Sequence, residues 1–278
     1  MVERKMAILA GGGSLPARIA AAVRGQGRDV FIVAFEGHTD PETVVGWPHL
    51  WSRFGAAGGI IRRLHDEGVG DIVFAGPVKR PSFTELLPDW WTARFLARVG
   101  TRALGDDGLL RAVARELEGE GFRVVGLHDV LKDLLTVPGP VGALTPDAEA
   151  ERDIARGVQV ARALGDLDVG QGAVVQQGLV LAVEAIEGTD AMLARCAALA
   201  RPGPGGVLVK VKKPNQDRRV DLPTMGVTTV ERAAAAGLRG VAIEAGGSLL
   251  IDREAVAATA DRLGLFVVGI DLSTGSAE

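Results

Sequence analysis

Across roughly its first 130 residues the chain alternates short, wholly apolar runs with amphipathic stretches, and that alternation leaves few folds open. Residues 6–10, 29–35 (DVFIVAF) and 71–75 (DIVFA) carry no inward-outward alternation. They read as strands buried on both faces, the mark of a parallel sheet covered by helices. Residues 16–25 and 58–67 supply the helical crossovers that parallel strands require, the second with Ile60, Ile61 and Leu64 on one face. A further amphipathic helix starts at Asp106-Asp107 and runs to about Glu118, with Leu109, Leu110, Val113 and Leu117 together. Residues 122–127 read as one more strand. The expected fold class is α/β, with a parallel-sheet N-terminal domain over residues 1–136.

The pattern changes at residues 136–146, where three prolines and two glycines fall within eleven residues. A linker is expected over 137–146, followed by a C-terminal mixed α/β domain over 147–278. In that half, helices are expected at 147–164, 189–200, 227–236 and 254–263. Strands are expected at 173–176, 179–185, 206–211, 240–244, 248–251 and 265–270, the first two joined by a tight turn at Gln177-Gly178. No repeat of fixed period is present.

Composition narrows the function classes. With 31 Lys+Arg against 35 Asp+Glu the net charge is −4, and four per cent aromatic content without a tyrosine offers few stacking platforms, so nucleic acid is not the expected partner. Mean hydropathy is +0.21, yet no run approaches the roughly 18 apolar residues of a membrane span. The N-terminus lacks a signal-peptide pattern, and the cytoplasm is the expected compartment. One cysteine, Cys196, leaves no intramolecular disulfide and no cysteine-rich zinc site. Glycine, 38 of 278 residues, is about twice its usual share of roughly 7%.

Several segments carry candidate chemistry. Gly11-Gly12-Gly13-Ser14-Leu15-Pro16 joins a strand to a helix, where backbone N–H groups and the helix dipole suit a phosphate or sugar; a tight structural turn is the other reading. Pro16 stands where the dinucleotide fingerprint needs glycine. Glu36 at the end of the second strand is either a ribose-binding acid or a solvated strand end. Neither a P-loop nor a G-x-S-x-G elbow occurs, and His38, His49, His65 and His128 lack metal-ligand spacing, so any metal is a hard ion held by carboxylates and phosphates, namely Mg2+.

Glu184, Glu187, Thr189 and Asp190 crowd a strand-to-helix junction, either as helix caps or as site acids. Residues 210–226 hold five cations, two acids, two amides and two prolines between a strand and a helix, a composition suited to a pyrophosphate and its metal. Asp221, between Val220 and Leu222 and followed by Pro223, has the surroundings of a metal ligand or general base. Asp106 and Asp107 read as helix-start acids, and Gln171, flanked by Gly170 and Gly172, either hydrogen-bonds a ligand or ends a turn. Glu244 before Gly246 is equally open.

Gly-Gly-Gly-Ser-Leu-Pro at 11–16, Gly-Asp-Asp at 105–107, Gly-Gln-Gly-Ala at 170–173, Glu-Gly-Thr-Asp-Ala-Met at 187–192, Lys-Pro-Asn-Gln-Asp-Arg-Arg-Val-Asp-Leu-Pro-Thr-Met-Gly at 213–226 and Glu-Ala-Gly at 244–246 occur in that order. Together they resemble the LpxI family, over nearly the whole chain, the 213–226 segment being the specific part. The resemblance implies a pyrophosphatase that hydrolyses UDP-2,3-diacylglucosamine to UMP and lipid X in lipid A synthesis, with Mg2+. It implies an N-terminal Rossmann-like domain, a C-terminal α/β domain and a site in the cleft between them.

Carried over by position, the resemblance makes Asp221 the essential acid, acting on metal or water, with Gly12, Gln171 and Thr189 contacting the substrate; the metal-assisted mechanism adds Asp190 as a second acid to hold the ion or orient water. Beyond the family pattern, Gly11, Gly13, Gly76, Arg80, Lys213 and Arg219 are further candidate substrate contacts. Pro77, where the family pattern would place a polar residue, offers no N–H. The implied partner is an amphiphilic UDP-sugar lipid, with transient contact at the inner face of the membrane and a homodimer left open. A nicotinamide-dependent oxidoreductase and a non-catalytic nucleotide-sugar or lipid carrier are the rival functions, and Pro16 argues against the first.

Overall fold

A computed structural model describes residues 4–78, 87–100, 106–214, 216–220 and 222–273. The chain forms two compact units, one of Met1–Lys132 with Asp217–Asp221 and one of Asp133–Gln216 with Leu222–Glu278.

In the first unit β1 (Lys5–Ala10), β2 (Val30–Phe35), β3 (His49–Ser52), β4 (Val69–Ala75) and β5 (Arg123–Val124) form a sheet in the order β3-β2-β1-β4-β5. Every pairing is parallel. Helices α1 (Leu15–Gly25), α2 (Ala57–Asp66), α3 (Trp90–Val99), α4 (Asp106–Gly119) and α5 (Leu127–Val130) accompany the strands. The runs read as two-sided strands are so buried: Phe31, Ile32, Val33 and Ala34 are each fully inaccessible. The strand order reverses at β1, which makes the carboxyl end of β1 and β4 the topological switch point where open α/β sheets commonly bind ligands.

Two local readings change. The strand expected at 122–127 shrinks to β5, because the Asp129 carboxylate accepts the Gly126 N–H at 3.1 Å and starts α5. β3, which has no apolar run, went unread, as did α3, whose Asp89 cap accepts the Thr92 N–H at 2.7 Å. Val220, from the distant 217–221 segment, is buried in this unit's core with Leu117 and Val124.

In the second unit β6 (Gly139–Pro140), β7 (Gly172–Gln176), β8 (Leu179–Val183), β9 (Val207–Lys210), β11 (Gly240–Glu244) and β13 (Phe266–Ile270) form a sheet in the order β6-β13-β11-β9-β7-β8. The β13-β11-β9 centre is parallel, and β6, β7 and β8 pair antiparallel. Residues 137–146 therefore contribute an edge strand as well as a connection. The strand expected at 248–251 is instead β12 (Leu249–Leu250), which pairs with β10 (Thr224–Met225) in a separate two-stranded sheet.

Helix α6 (Ala148–Asp166) covers one face of the large sheet, packing Ala150, Ile154 and Ala161 on Val207, Val209, Phe266 and Val268. Gly157 lets it close on the sheet, since a Cβ there would lie 2.4 Å from Val209 Cγ2. The opposite face carries α7 (Gly188–Cys196), α8 (Val227–Ala235) and α9 (Arg253–Leu263), whose Met192, Leu193, Val230 and Val256 meet Leu208, Val241 and Ile243.

Candidate functional site

The glycine loop of the first unit is closed by its own backbone. Gly11 N–H donates to Ala75 O at 2.7 Å and Gly12 N–H to Pro77 O at 2.9 Å, while Gly13 N–H donates to Asp40 Oδ2 at 2.8 Å. The β1 and β4 loops are thus stitched together through Gly76, whose φ is +86° and where a Cβ would lie 2.3 Å from Gly12 O. Pro77, unable to donate, serves through its carbonyl. An aspartate carboxylate occupies the position at the start of α1 where the sequence suggests a phosphate, and Ser14 makes no side-chain cap. Gly11, Gly12, Gly13 and Gly76 therefore lie together, with the N–H groups of the first three already bonded. Asp40 was missed by sequence reasoning, because a single acid after β2 carries no motif. Arg80 lies outside the described residues.

Also in the first unit, Arg219 is held by two carboxylates, Glu118 Oε1 at 2.5 Å and Asp217 Oδ2 at 2.8 Å. Its backbone N–H donates to Asp217 Oδ1 at 3.0 Å. The Arg219 hydrogen bonds hold the Asp217 carboxyl below the ordinary carboxylate range against the opposing effect of burial.

The polar residues of the second unit gather where three strands end side by side. Gly172 of β7 stands opposite Lys210 of β9, and Glu184, just past β8, donates its N–H to Gly172 O at 2.9 Å. With no side chain at 172 in the way, the two flanking chains reach a common partner. Lys210 Nζ donates to Thr189 Oγ1 at 2.7 Å, and Thr189 Oγ1 donates to Glu184 Oε1 at 2.6 Å. Lys210 and Glu184 are 5% and 7% exposed, and Glu184 Oε2 is buried with no hydrogen-bond partner among the described residues. A Cβ at Gly172 would lie 2.9 Å from that oxygen.

Beside this cluster runs a second chain of contacts. Lys213 N–H donates to Gln216 Oε1 at 3.1 Å, and Gln216 Nε2 donates to Gln171 Oε1 at 3.3 Å. Gln171 O accepts the Val211 N–H at 3.0 Å, fixing the 171 backbone beside the loop. Lys213 Nζ pairs with Asp168 Oδ1 at 2.6 Å, and Lys212 N–H donates to Glu244 Oε2 at 2.7 Å.

Gln171, Thr189 and Lys213 are thus assembled at one end of the sheet. Asp190 is exposed and pairs with Arg232 Nε at 3.3 Å. Asp221 lies outside the described residues, as does Gly105, and the side chains of Asp106 and Asp107 are not described. Gln216 and Glu184 were not assigned roles from sequence, although the first lies inside the segment with the densest polar composition.

Two family models match the chain, the LpxI N-terminal domain over residues 5–134 and the LpxI C-terminal domain over residues 137–268. The chain belongs to the LpxI family. A relative in Caulobacter vibrioides, named UDP-2,3-diacylglucosamine pyrophosphatase LpxI, is 46% identical over 275 residues, covering 96% of this chain and 98% of that one. Among solved structures this LpxI-family chain has a partial likeness to a biotin carboxylase subunit of pyruvate carboxylase, at 13% identity and a TM-score of 0.27, covering 62% of this chain and 35% of that one. A biotin carboxylase domain dimer of Hydrogenobacter thermophilus 2-oxoglutarate carboxylase gives 13% and 0.23, covering 72% and 41%. Likenesses of that size carry no argument about this molecule.

Mg2+ commonly binds through one or two carboxylates with phosphates and water rather than a full protein cage. Among the described residues of this LpxI-family chain no group of three or more His, Cys, Asp or Glu could hold a metal. Of the two expected ligands, Asp190 faces Arg232 and Asp221 is not described. Among the described residues no helix is long and apolar enough to cross a membrane.

Proposed function

We propose that the chain is a hydrolase of UDP-2,3-diacylglucosamine that breaks its diphosphate with water, giving UMP and lipid X in lipid A synthesis. The observation that carries this reading is near-full-length relationship, at 46% identity, to a protein named for that reaction. The β-strand ends of the second unit support it, because they gather a cation, a hydroxyl and amides at one end of the sheet, polar groups of the kind a charged headgroup needs.

In this reading the first unit is Rossmann-like, its Gly11–Gly13 and Gly76 loops shaping a substrate contact by close backbone approach. Thr189, Gln171 and Lys213 bind the headgroup, and Arg80 and Arg219 face the diphosphate. Asp221 is the essential acid, orienting the attacking water. Developing negative charge on the diphosphate is stabilised by Lys212, Lys213, Arg218 and Arg219. Mg2+ dependence is part of the same proposal, as is transient contact of a cytoplasmic protein with the inner face of the membrane, where the acylated substrate resides.

The test is hydrolysis of UDP-2,3-diacylglucosamine by the purified protein, with Mg2+ and with excess EDTA, following UMP by phosphorus NMR. Metal-dependent UMP release is expected, and Asp221→Asn should lose most turnover with the fold intact. Tight binding without UMP release would leave a carrier, and full activity in Asp221→Asn would remove that residue from its role.

A further inference from the structure

We infer that Gln216 sets the hydrogen-bonding polarity of Gln171, making Gln171 a donor to an acceptor oxygen of the substrate. The argument starts from a group that cannot reverse. The backbone N–H of Lys213 is only a donor, so the Gln216 atom facing it at 3.1 Å must be the carbonyl oxygen. The other end of the same amide is then NH2, and the Gln171 atom it meets at 3.3 Å must be oxygen. The Gln171 NH2 group consequently points away from Gln216, and among the described residues no acceptor is bonded to it.

Burial makes the setting firm. Gln216 is 5% exposed, so flipping its amide would set its NH2 against the Lys213 N–H, two donors face to face away from water. Gln171 itself is half-buried and reaches the surface. It enters a strand whose first residue, Gly172, carries no side chain to screen it. A ligand at this position meets two N–H groups and no lone pair. Phosphate and carbonyl oxygens satisfy that demand, whereas a hydroxyl can do so only through its lone pairs, leaving its proton unused. Gln216 acts through Gln171 and is a positioning residue; its own backbone N–H donates to Lys213 O at 3.1 Å, which holds it close to the Lys213 N–H that its side chain accepts.

The inference deepens the diphosphatase reading and rests on it for the identity of the ligand, but its polarity can be judged separately. Gln216→Glu keeps an oxygen for Lys213 N–H and replaces the NH2 facing Gln171 by a second oxygen, so Gln171 must turn and present its own oxygen outward. Side-chain amide NMR on the full chain reads this directly, with the Gln171 signal assigned by its loss in Gln171→Glu. In the wild type the Gln171 NH2 protons should exchange freely with water. In Gln216→Glu they should become protected. A protected Gln171 amide in the wild type would overturn the inference, whatever the enzyme assay shows.

The functional arm uses UDP-2,3-diacylglucosamine, UMP and lipid X. Gln216→Glu and Gln171→Glu should each lower kcat/KM about 10- to 100-fold, mainly through KM, as expected when a donor is replaced by an opposing lone pair. Weakened inhibition by UMP alone places the acceptor on the nucleotide half, and by lipid X alone on the sugar phosphate. Wild-type kcat/KM within twofold in both variants would overturn the functional role. Absence of hydrolysis by the wild type would instead overturn the diphosphatase reading, leaving the NMR result to decide the polarity.

Discussion

Lys210 and Thr189 meet at 2.7 Å in a setting where the lysine has almost no access to water. Thr189 donates its hydroxyl hydrogen bond to Glu184, so the ammonium and the carboxylate are joined through one hydroxyl. Removing either charge strands the other. Lys210→Met should therefore cost about 3 kcal/mol, at the lower end for breaking a buried charge pair, since a hydroxyl intervenes. Chemical denaturation at pH 7 measures it, and a loss below about 1 kcal/mol would show that Glu184 finds another partner. Thr189→Ser keeps the relay and should stay close to the wild type in stability, whereas Thr189→Val should approach Lys210→Met.

The glycine loop gives a contrast between neighbours. At Gly11 an added Cβ would lie 2.4 Å from Pro77 O and 2.6 Å from Gly76 O, both backbone atoms that cannot swing aside. At Gly13 nothing lies within 4 Å, and the only obstacle is a φ of +77°. Gly13→Ala should cost about 1 kcal/mol from left-handed strain. Gly11→Ala should cost clearly more, about 3 kcal/mol, because the β1 and β4 loops must part. Equal melting shifts for the two variants would show that the stitched loops yield easily.

Much of this arrangement was readable before the structure. The apolar runs at 6–10, 29–35 and 71–75 became β1, β2 and β4 because strands buried on both faces leave an unbroken apolar signature. β3, with His49 exposed and Ser52 at its end, has no such signature and exists because its backbone pairs with β2. In the site, Gln171, Thr189 and Lys213 stood out as polar residues in glycine- or charge-rich segments. Glu184 was seen only as one of several crowded acids, since its meeting with Lys210 depends on β7, β8 and β9 lying adjacent, and strand order is not written in local pattern. The Asp40 carboxylate on Gly13 N–H is equally a product of tertiary placement.

Asp40 offers a test of what the loop is built to hold. Its carboxylate is exposed and accepts the Gly13 N–H near the positive end of α1. Asp40→Ala should lower stability by about 0.5–1 kcal/mol, the scale of a capping interaction at a surface helix start. It also removes a negative charge from a position suited to a phosphate, so the KM for the diphosphate substrate should fall, about two- to fivefold. An unchanged KM with the expected stability loss would mark the loop as a structural turn only.

Asp71 carries the clearest pH dependence. Its side chain is wholly buried and accepts Arg123 Nε and Nη2 at 2.9 and 2.7 Å, with Arg28 Nη2 at 2.5 Å. Burial alone would raise its pKa, but the hydrogen bonds and charges of Arg123 and Arg28 prevail and hold it below its ordinary value of 3.8. A carboxyl whose pKa is lower folded than unfolded binds fewer protons in the native state, so it stabilises the fold above the unfolded pKa. That stability is lost as pH falls from the ordinary value through the folded one. Asp71→Asn should cost about 3 kcal/mol at pH 7, because two guanidinium groups lose their shared anion. The gap between the variant and the wild type should stay constant from pH 7 to about 5 and then narrow as the wild type alone weakens below about 4. Denaturation curves collected from pH 7 down to pH 3 would show it, and a gap that stays constant over that whole range would mean that Asp71 titrates alike in the folded and unfolded chain and contributes by packing alone.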